Sequence, residues 1–251
     1  MMQTRSRLAK EIQEKESAKS EKFKEVILFG FALLSLLHVL LELVSSDYCL
    51  YSKSLLMPLL MIYSLCNGID VLLLPALLFA WVGDIFLYWD SEMNFNIGLG
   101  SFLIMQLFYT TAFYRLPDKS NSYFSLHPAS TTIVIGSYFS LYLWINYIIS
   151  DTASKSKMQL PILVYSLAIC LMSISALNSS TKSKFVGFNL FIGTILFIIS
   201  DGIIALTKFQ IIKIDKNIAQ MLIMSTYCLA QGIIVHAYTH MATSVTTSKK
   251  K

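Results

Sequence analysis

Two aspartates concentrate the chemical interest of this chain. Asp84 sits in "AWVGDIFLYWD" (80–90) and Asp201 in "LFIISDGIIAL" (196–206), each inside an apolar run. A carboxylate is costly to hold away from water, so a buried acid must be neutral, hydrogen-bonded or paired with a cation. Inside a membrane-length segment such a group faces the bundle interior or a wet cavity, and a functional site is the first reading. The structural alternative is that each acid bonds a neighbouring helix as glue. Each has a small residue beside it, Gly83 and Gly202, that permits close helix approach.

The surrounding composition sets where these acids lie. Of 251 residues, 55% are hydrophobic and 14% charged, against roughly 25% charged in a soluble domain. The charges crowd the two tails and a few short breaks. That segregation describes an all-α, polytopic membrane protein. The first 25 residues are charged throughout and lack the apolar core of a secretory signal. The net charge of +5 then concerns membrane orientation and anionic lipid heads, and no nucleic-acid partner is expected. Four cysteines (Cys49, Cys66, Cys170, Cys228) have no CxxC spacing and read as small buried hydrophobes.

Apolar segments fall at 26–44, 53–67, 71–89, 95–114, 130–149, 160–177, 185–207 and 218–241. Most approach the roughly 20 residues that cross a hydrocarbon core, and in lipid only helices satisfy their own backbone over such lengths. The expectation is a single bundle of eight transmembrane helices over 26–241. A charged cytoplasmic tail (1–25) precedes it and a basic tail (242–251) follows. Segment 53–67 is short and carries Pro58; a re-entrant path there leaves seven spans. With eight, fourteen Lys/Arg fall on the side of the termini: seven in the N-tail, then Arg115, Lys119, Lys182, Lys184 and Lys249 to Lys251. The other side receives six: Lys53, Lys155, Lys157, Lys208, Lys213 and Lys216. That bias favours eight spans with both termini cytoplasmic. Short connections make sequential helices antiparallel neighbours.

Depth then relates the two acids. Asp84 lies five residues before the far end of its segment and Asp201 six before the far end of a segment running the same way. At ~1.5 Å per residue both carboxyls sit about 8–9 Å below one face. Lys53, Tyr165 and Glu42 share that layer, and Tyr227 and Gln231 lie deeper in the last segment. His38 with Glu42, and His236 with His240, have helical i,i+4 spacing, but each pair falls short of a metal's ligand count. No metal site is expected.

Five stretches carry a family resemblance: "LLFAWVGDIFL" (77–87), "FNIGLGSFLIMQLFYTTAF" (95–113), "PILVYSLAICLM" (161–172), "GTILFIISDGIIAL" (193–206) and "TYCLAQGIIV" (226–235). In this order and spacing the chain resembles the YhhN-like lysoplasmalogenase family from Lys53 to about Tyr238. Gly83-Asp84 and Ser200-Asp201 are the most specific elements. The resemblance implies eight membrane helices and hydrolysis of the vinyl-ether bond of lysoplasmalogens, giving a fatty aldehyde and a glycerophospho-base. It also implies residence in the endoplasmic reticulum. Gln106, three residues before Tyr109, stands where the family usually has histidine; this keeps hydrogen bonding and removes a titratable ring. Gln106 and Tyr109 join Lys53, Tyr165, Tyr227 and Gln231 as expected substrate-binding residues.

Two carboxyls suit this reaction. Proton transfer to carbon gives an oxocarbenium-like cation, water adds, and the hemiacetal collapses to an aldehyde. Two carboxyls in one low-dielectric site do not both ionise, so one supplies the proton and the other the stabilising anion. Glycosidases use a related pair. No cofactor is needed. The expected partners are a lysophospholipid, whose phosphate meets Lys53 and Lys208 at the interface, and the bilayer. A non-enzymatic transporter or lipid-binding protein, with the acids as proton relay or ligand site, stays open beside the hydrolase. So does a scaffold in which both acids are structural.

Overall fold

A chain segment surrounded by hydrocarbon finds no water for its amides, so each apolar run closes its hydrogen bonds internally as a helix. The computed structural model describes residues 2–44, 47–68, 70–116, 123–155, 158–179 and 184–248. Lys119, Lys157, Lys182 and Lys249 to Lys251, part of the charge bias, lie outside the described residues. The helices are α1 (Met2–Leu43), α2 (Cys49–Cys66), α3 (Leu73–Phe86), α4 (Glu92–Tyr114), a short α5 (Tyr123–Leu126), α6 (Pro128–Lys155), α7 (Gln159–Asn178), α8 (Lys184–Lys208) and α9 (Lys216–Ser248). The described residues contain no strand. Apart from α5, each helix falls on one of the eight apolar segments. The N-terminal tail continues α1 without a break, and Lys24 pairs with Glu21 on it at 2.7 Å.

Six helical stretches have the length and apolar character to cross a membrane: Ile12–Leu43, Cys49–Cys66, Glu92–Tyr114, Gln159–Asn178, Gly187–Lys208 and Lys216–Ala242. This marks a multi-pass membrane protein. The remaining two segments differ from expectation. The helix inside 71–89 has only 14 residues, about 21 Å of rise. Asp70 sets its start: Oδ1 accepts from the amides of Leu72 (2.8 Å) and Leu73 (2.9 Å), while Oδ2 accepts from Tyr238 Oη. The chain then turns at Leu87–Asp90 instead of extending the helix. The other departure is α6, whose described side chains are mostly exposed.

Pro58 does not break α2. Residue 58 would ordinarily donate to the carbonyl of Ser54, and proline has no N–H to do so. The indole Nε1 of Trp81 on α3 donates to that carbonyl at 2.7 Å. The helix therefore stays continuous over 18 residues, and the same bond ties α2 to α3.

Packing arranges seven helices in a closed ring: α1, α2, α3, α4, α7, α8, α9 and back to α1. Sequential adjacency holds until α4, whose next neighbour is α7. Helix α6 packs outside, on α7. Its anchor is polar: Tyr138 Oη and Ser173 Oγ lie 2.6 Å apart, and Ser173 meets Thr194 Oγ1 of α8 at 2.7 Å. Ile133, Phe139, Trp144 and Tyr147 of α6 are exposed, as a helix facing lipid tolerates. Inside the ring, Leu56, Met57, Leu77, Tyr109, Phe113 and Phe197 are fully buried. All four cysteines are free, three of them buried.

Candidate active site

The inward stripe of α3 is Leu73, Ala76, Leu77, Ala80, Gly83 and Asp84, spaced by three and four. Asp84 occupies a core position of an amphipathic pattern, two residues from the helix end, and is 3% exposed. On α8 the buried positions Leu190, Thr194, Phe197 and Ser200 carry Asp201 to the edge of the same kind of stripe.

Each acid is held by a phenol. Tyr227 Oη donates to Asp84 Oδ2 at 2.8 Å. Met57 Sδ lies 3.7 Å from the same hydroxyl, whose single proton goes to the better acceptor, the carboxyl. Tyr165 of α7 donates to Asp201 Oδ2. Behind Tyr227, Tyr109 donates to Gln231 Oε1 at 2.7 Å, and Gln231 Nε2 reaches Met105 Sδ (3.4 Å) and Tyr227 Oη (3.5 Å). Asp84 thus ends a file of buried polar groups running down α4 and α9. Gln106 approaches the Tyr165 hydroxyl, yet neither of its amide atoms closes a hydrogen bond among the described residues.

Aromatic rings pack around the acids. Phe102 packs edge-on to Phe197 and Tyr227, with centroids 6.2 and 5.9 Å away. Gly83 makes room for it: a Cβ there would stand 2.9 Å from Phe102 Cε2. Gly202, by contrast, has nothing within 4 Å of a Cβ position, so the small residue beside Asp201 serves no close approach. Asp84 and Asp201 lie within electrostatic range of each other.

Two cavities open at this end of the bundle. One, of about 60 Å³, is apolar except for Tyr165 and Asp201, and is walled by Leu87, Phe95, Phe102 and Ile204. The other, of about 340 Å³, contains Lys53, Lys208 and Lys216 with Asp90 and Gln220. They share Leu87, Phe95 and Ile204 as walls. Lys53 is 7% exposed and close enough to Asp84 to act on it electrostatically. Lys208 pairs loosely with Asp90 at 3.6 Å and lies 5.0 Å over the Phe95 ring. A third, larger groove of about 440 Å³ runs between α1 and α9, lined by Phe31, Leu36, Leu229 and Ile233. It contains neither aspartate and is no candidate for acid–base chemistry.

The structure therefore brings Asp84, Lys53, Tyr109, Tyr227 and Gln231 around the ring interior, and Asp201, Tyr165 and Gln106 beside them. His38 Nδ1 meets Ser52 Oγ at 2.8 Å and its Nε2 lies 3.5 Å from Glu42. His236 Nδ1 meets Tyr63 Oη at 2.8 Å, with the His240 ring 4.5 Å away. No three His, Cys, Asp or Glu cluster among the described residues. Sequence reasoning had passed over Lys216 and Gln220 as site residues. The signal was present: Lys216, Gln220, Tyr227 and Gln231 follow one face of α9 at spacings of four, seven and four.

A family model described as the YhhN family matches residues 48–238, well over half of the chain and all of the residues just described as the site. No curated protein and no solved structure matches the chain.

Proposed function

This chain belongs to the YhhN family, and on that premise we propose that it is a membrane hydrolase cleaving the vinyl-ether bond of lysoplasmalogens. The observation that carries the reading is a pair of phenol-bound carboxyls, Asp84 and Asp201, the second of which lines a small apolar cavity that shares walls with a lysine-lined one. A single-chain lipid fits that division, with its phosphate among the lysines and its first carbons in the apolar cavity.

The two acids have different surroundings. Asp201 faces the apolar cavity and is the general acid, giving its proton to the second carbon of the vinyl ether. The first carbon becomes an oxocarbenium ion. Asp84 has Lys53 within electrostatic range and Tyr227 bonded to it; it is the anion that stabilises this cation. Water then adds to the first carbon, a proton returns to the carboxyl pair, and the hemiacetal releases aldehyde and the glycerol hydroxyl. Tyr165 orients Asp201, and the file from Tyr109 through Gln231 orients Tyr227. In this reading all eight long helices cross the membrane, α3 with help from its flanking turns, and both termini are cytoplasmic in the endoplasmic reticulum.

A transporter or lipid-binding protein is the second reading. It draws on the file Tyr109–Gln231–Tyr227–Asp84, since proton relays use such chains. Purified protein in detergent, given an alkenyl lysophospholipid and its ester analogue, separates the two. Hydrolysis releases aldehyde from the first and no fatty acid from the second. Lipid movement in sealed vesicles with no aldehyde in detergent would establish transport.

Lys53→Met then tests the phosphate contact. The contact persists from ground to transition state, so its loss raises KM about tenfold and leaves kcat within about twofold. An unchanged KM removes Lys53 from the site.

A further inference from the structure

The cavity holding Lys53, Lys208 and Lys216 has features beyond a general attraction for phosphate. Lys53 is nine-tenths buried, and no carboxylate lies within ion-pair distance of it among the described residues. Asp84 and Glu42 interact with it at longer range, so the ammonium, which lines the cavity, is open to a closer anion there. Lys208 and Lys216 stand on the cavity wall at the ends of α8 and α9 that meet there. The one carboxylate in the lining is Asp90, in the turn after α3, and its partner is Lys208 at 3.6 Å. That separation is too long for a hydrogen bond, so the pair separates at little cost.

We propose that this cavity is a phosphoethanolamine site, in which the lipid phosphate replaces Asp90 as the partner of Lys208 and the terminal ammonium takes Asp90. The inference rests on the hydrolase reading in placing a single-chain phospholipid here. The Lys208–Asp90 pair is a cation and an anion presented side by side at the mouth. A phosphate and a primary ammonium present the same two charges in complementary order. The phosphate draws Lys208 toward Lys53 and Lys216, and the freed carboxylate accepts N–H bonds from the ammonium. A trimethylammonium head has no N–H to give and is best held against several aromatic faces. The two rings beside Asp90, Tyr88 and Trp89, pack edge-on against each other with centroids 5.8 Å apart, so they are engaged with one another. Asp90 is thereby a specificity-determining residue, and Lys216 part of the phosphate contact.

The test is a binding series in detergent with ester lysophospholipids, which lack the vinyl ether, so that it is independent of turnover. The heads are ethanolamine, its N,N-dimethyl form, choline and glycerol, on one acyl chain. Affinity is expected to fall about fivefold or more from ethanolamine to choline, with dimethyl between and glycerol no better than choline. Asp90→Asn, at an exposed turn, should level the series by weakening ethanolamine alone. Lys216→Met should weaken every head by a similar factor. Glycerophosphoethanolamine, the same head without a tail, should bind at least tenfold more weakly than the lipid; equal binding would mean that the natural ligand is soluble. Choline or glycerol binding as tightly as ethanolamine overturns the proposal, as does a series that Asp90→Asn leaves unaltered. Aldehyde release is scored separately: a Lys- and Asp90-dependent series without aldehyde retains the head site and discards the hydrolase.

Discussion

Asp201→Asn and Asp84→Asn are each expected to lower aldehyde release by about 10²-fold or more, the usual contribution of a general acid or base. Asparagine keeps the shape and accepts the same phenol: Tyr165 at 201, and Tyr227 at 84, bonded at 2.8 Å in the native protein. It donates no acidic proton to carbon and carries no negative charge to balance the oxocarbenium ion. Folding should survive, because an amide is cheaper to bury than a charge. The double variant should be little worse than either single one, since groups that act as a unit are not additive. The measurement is turnover of alkenyl lysophospholipid in detergent, beside a thermal unfolding curve for each variant. More than half of native turnover in either well-folded single variant means that the carboxyls are structural, and the hydrolase mechanism fails.

Gly193→Val is expected to have a large effect on folding. Helices α8 and α9 meet there at close range: a Cβ at 193 would stand 2.7 Å from Ile234 Cγ1 and 3.3 Å from the Ala230 carbonyl and the Ile234 amide. Ala230 and Ile234 are fully buried, so neither the side chain nor the backbone has room to yield. In a membrane, helices associate through such small-residue contacts because lipid is as apolar as leucine. Overpacking of this kind costs about 1–3 kcal/mol, read as a lower unfolding temperature in detergent. Turnover should fall as well, because α8 carries Asp201 and α9 carries Tyr227, and the valine forces the two helices apart. Gly202→Ala, one residue from Asp201 but with open space at its Cβ, is the control and should unfold like the native protein. Equal unfolding temperatures for Gly193→Val and Gly202→Ala would show that the α8–α9 approach is looser than these distances imply.

What the sequence determined by itself is whatever local periodicity and depth control. Hydrocarbon-length apolar runs must be helical because their amides have no other partner, and each of the eight runs contains a helix, although α3 spans only 14 residues of its run. Counting residues from a common face placed Lys53, Asp84, Tyr165 and Asp201 in one layer, because rise per residue in a helix is constant. Position along the membrane normal is what such counting addresses. It does not address lateral neighbours, since nothing in a helical period says which helix stands beside which.

Only the tertiary structure decided the ring order, with α4 against α7 and α6 displaced outside. That order puts Tyr165 of α7 on Asp201 of α8, and Tyr227 of α9 on Asp84 of α3. It also rescued Pro58. Proline alone predicts a weakened or re-entrant helix, whereas the Trp81 indole satisfies the Ser54 carbonyl that Pro58 leaves free, 27 residues from that carbonyl in sequence. Lys216 is a further case. Its place on the Gln220–Tyr227–Gln231 face is readable in the sequence, but only the structure sets it beside Lys53 and Lys208 on one cavity, because the end of α2 packs where the consecutive helices α8 and α9 meet. The physical reason is the same throughout. Helix formation and depth follow from interactions a few residues apart, whereas a site is made where side chains from separate helices converge, and that convergence belongs to the packing.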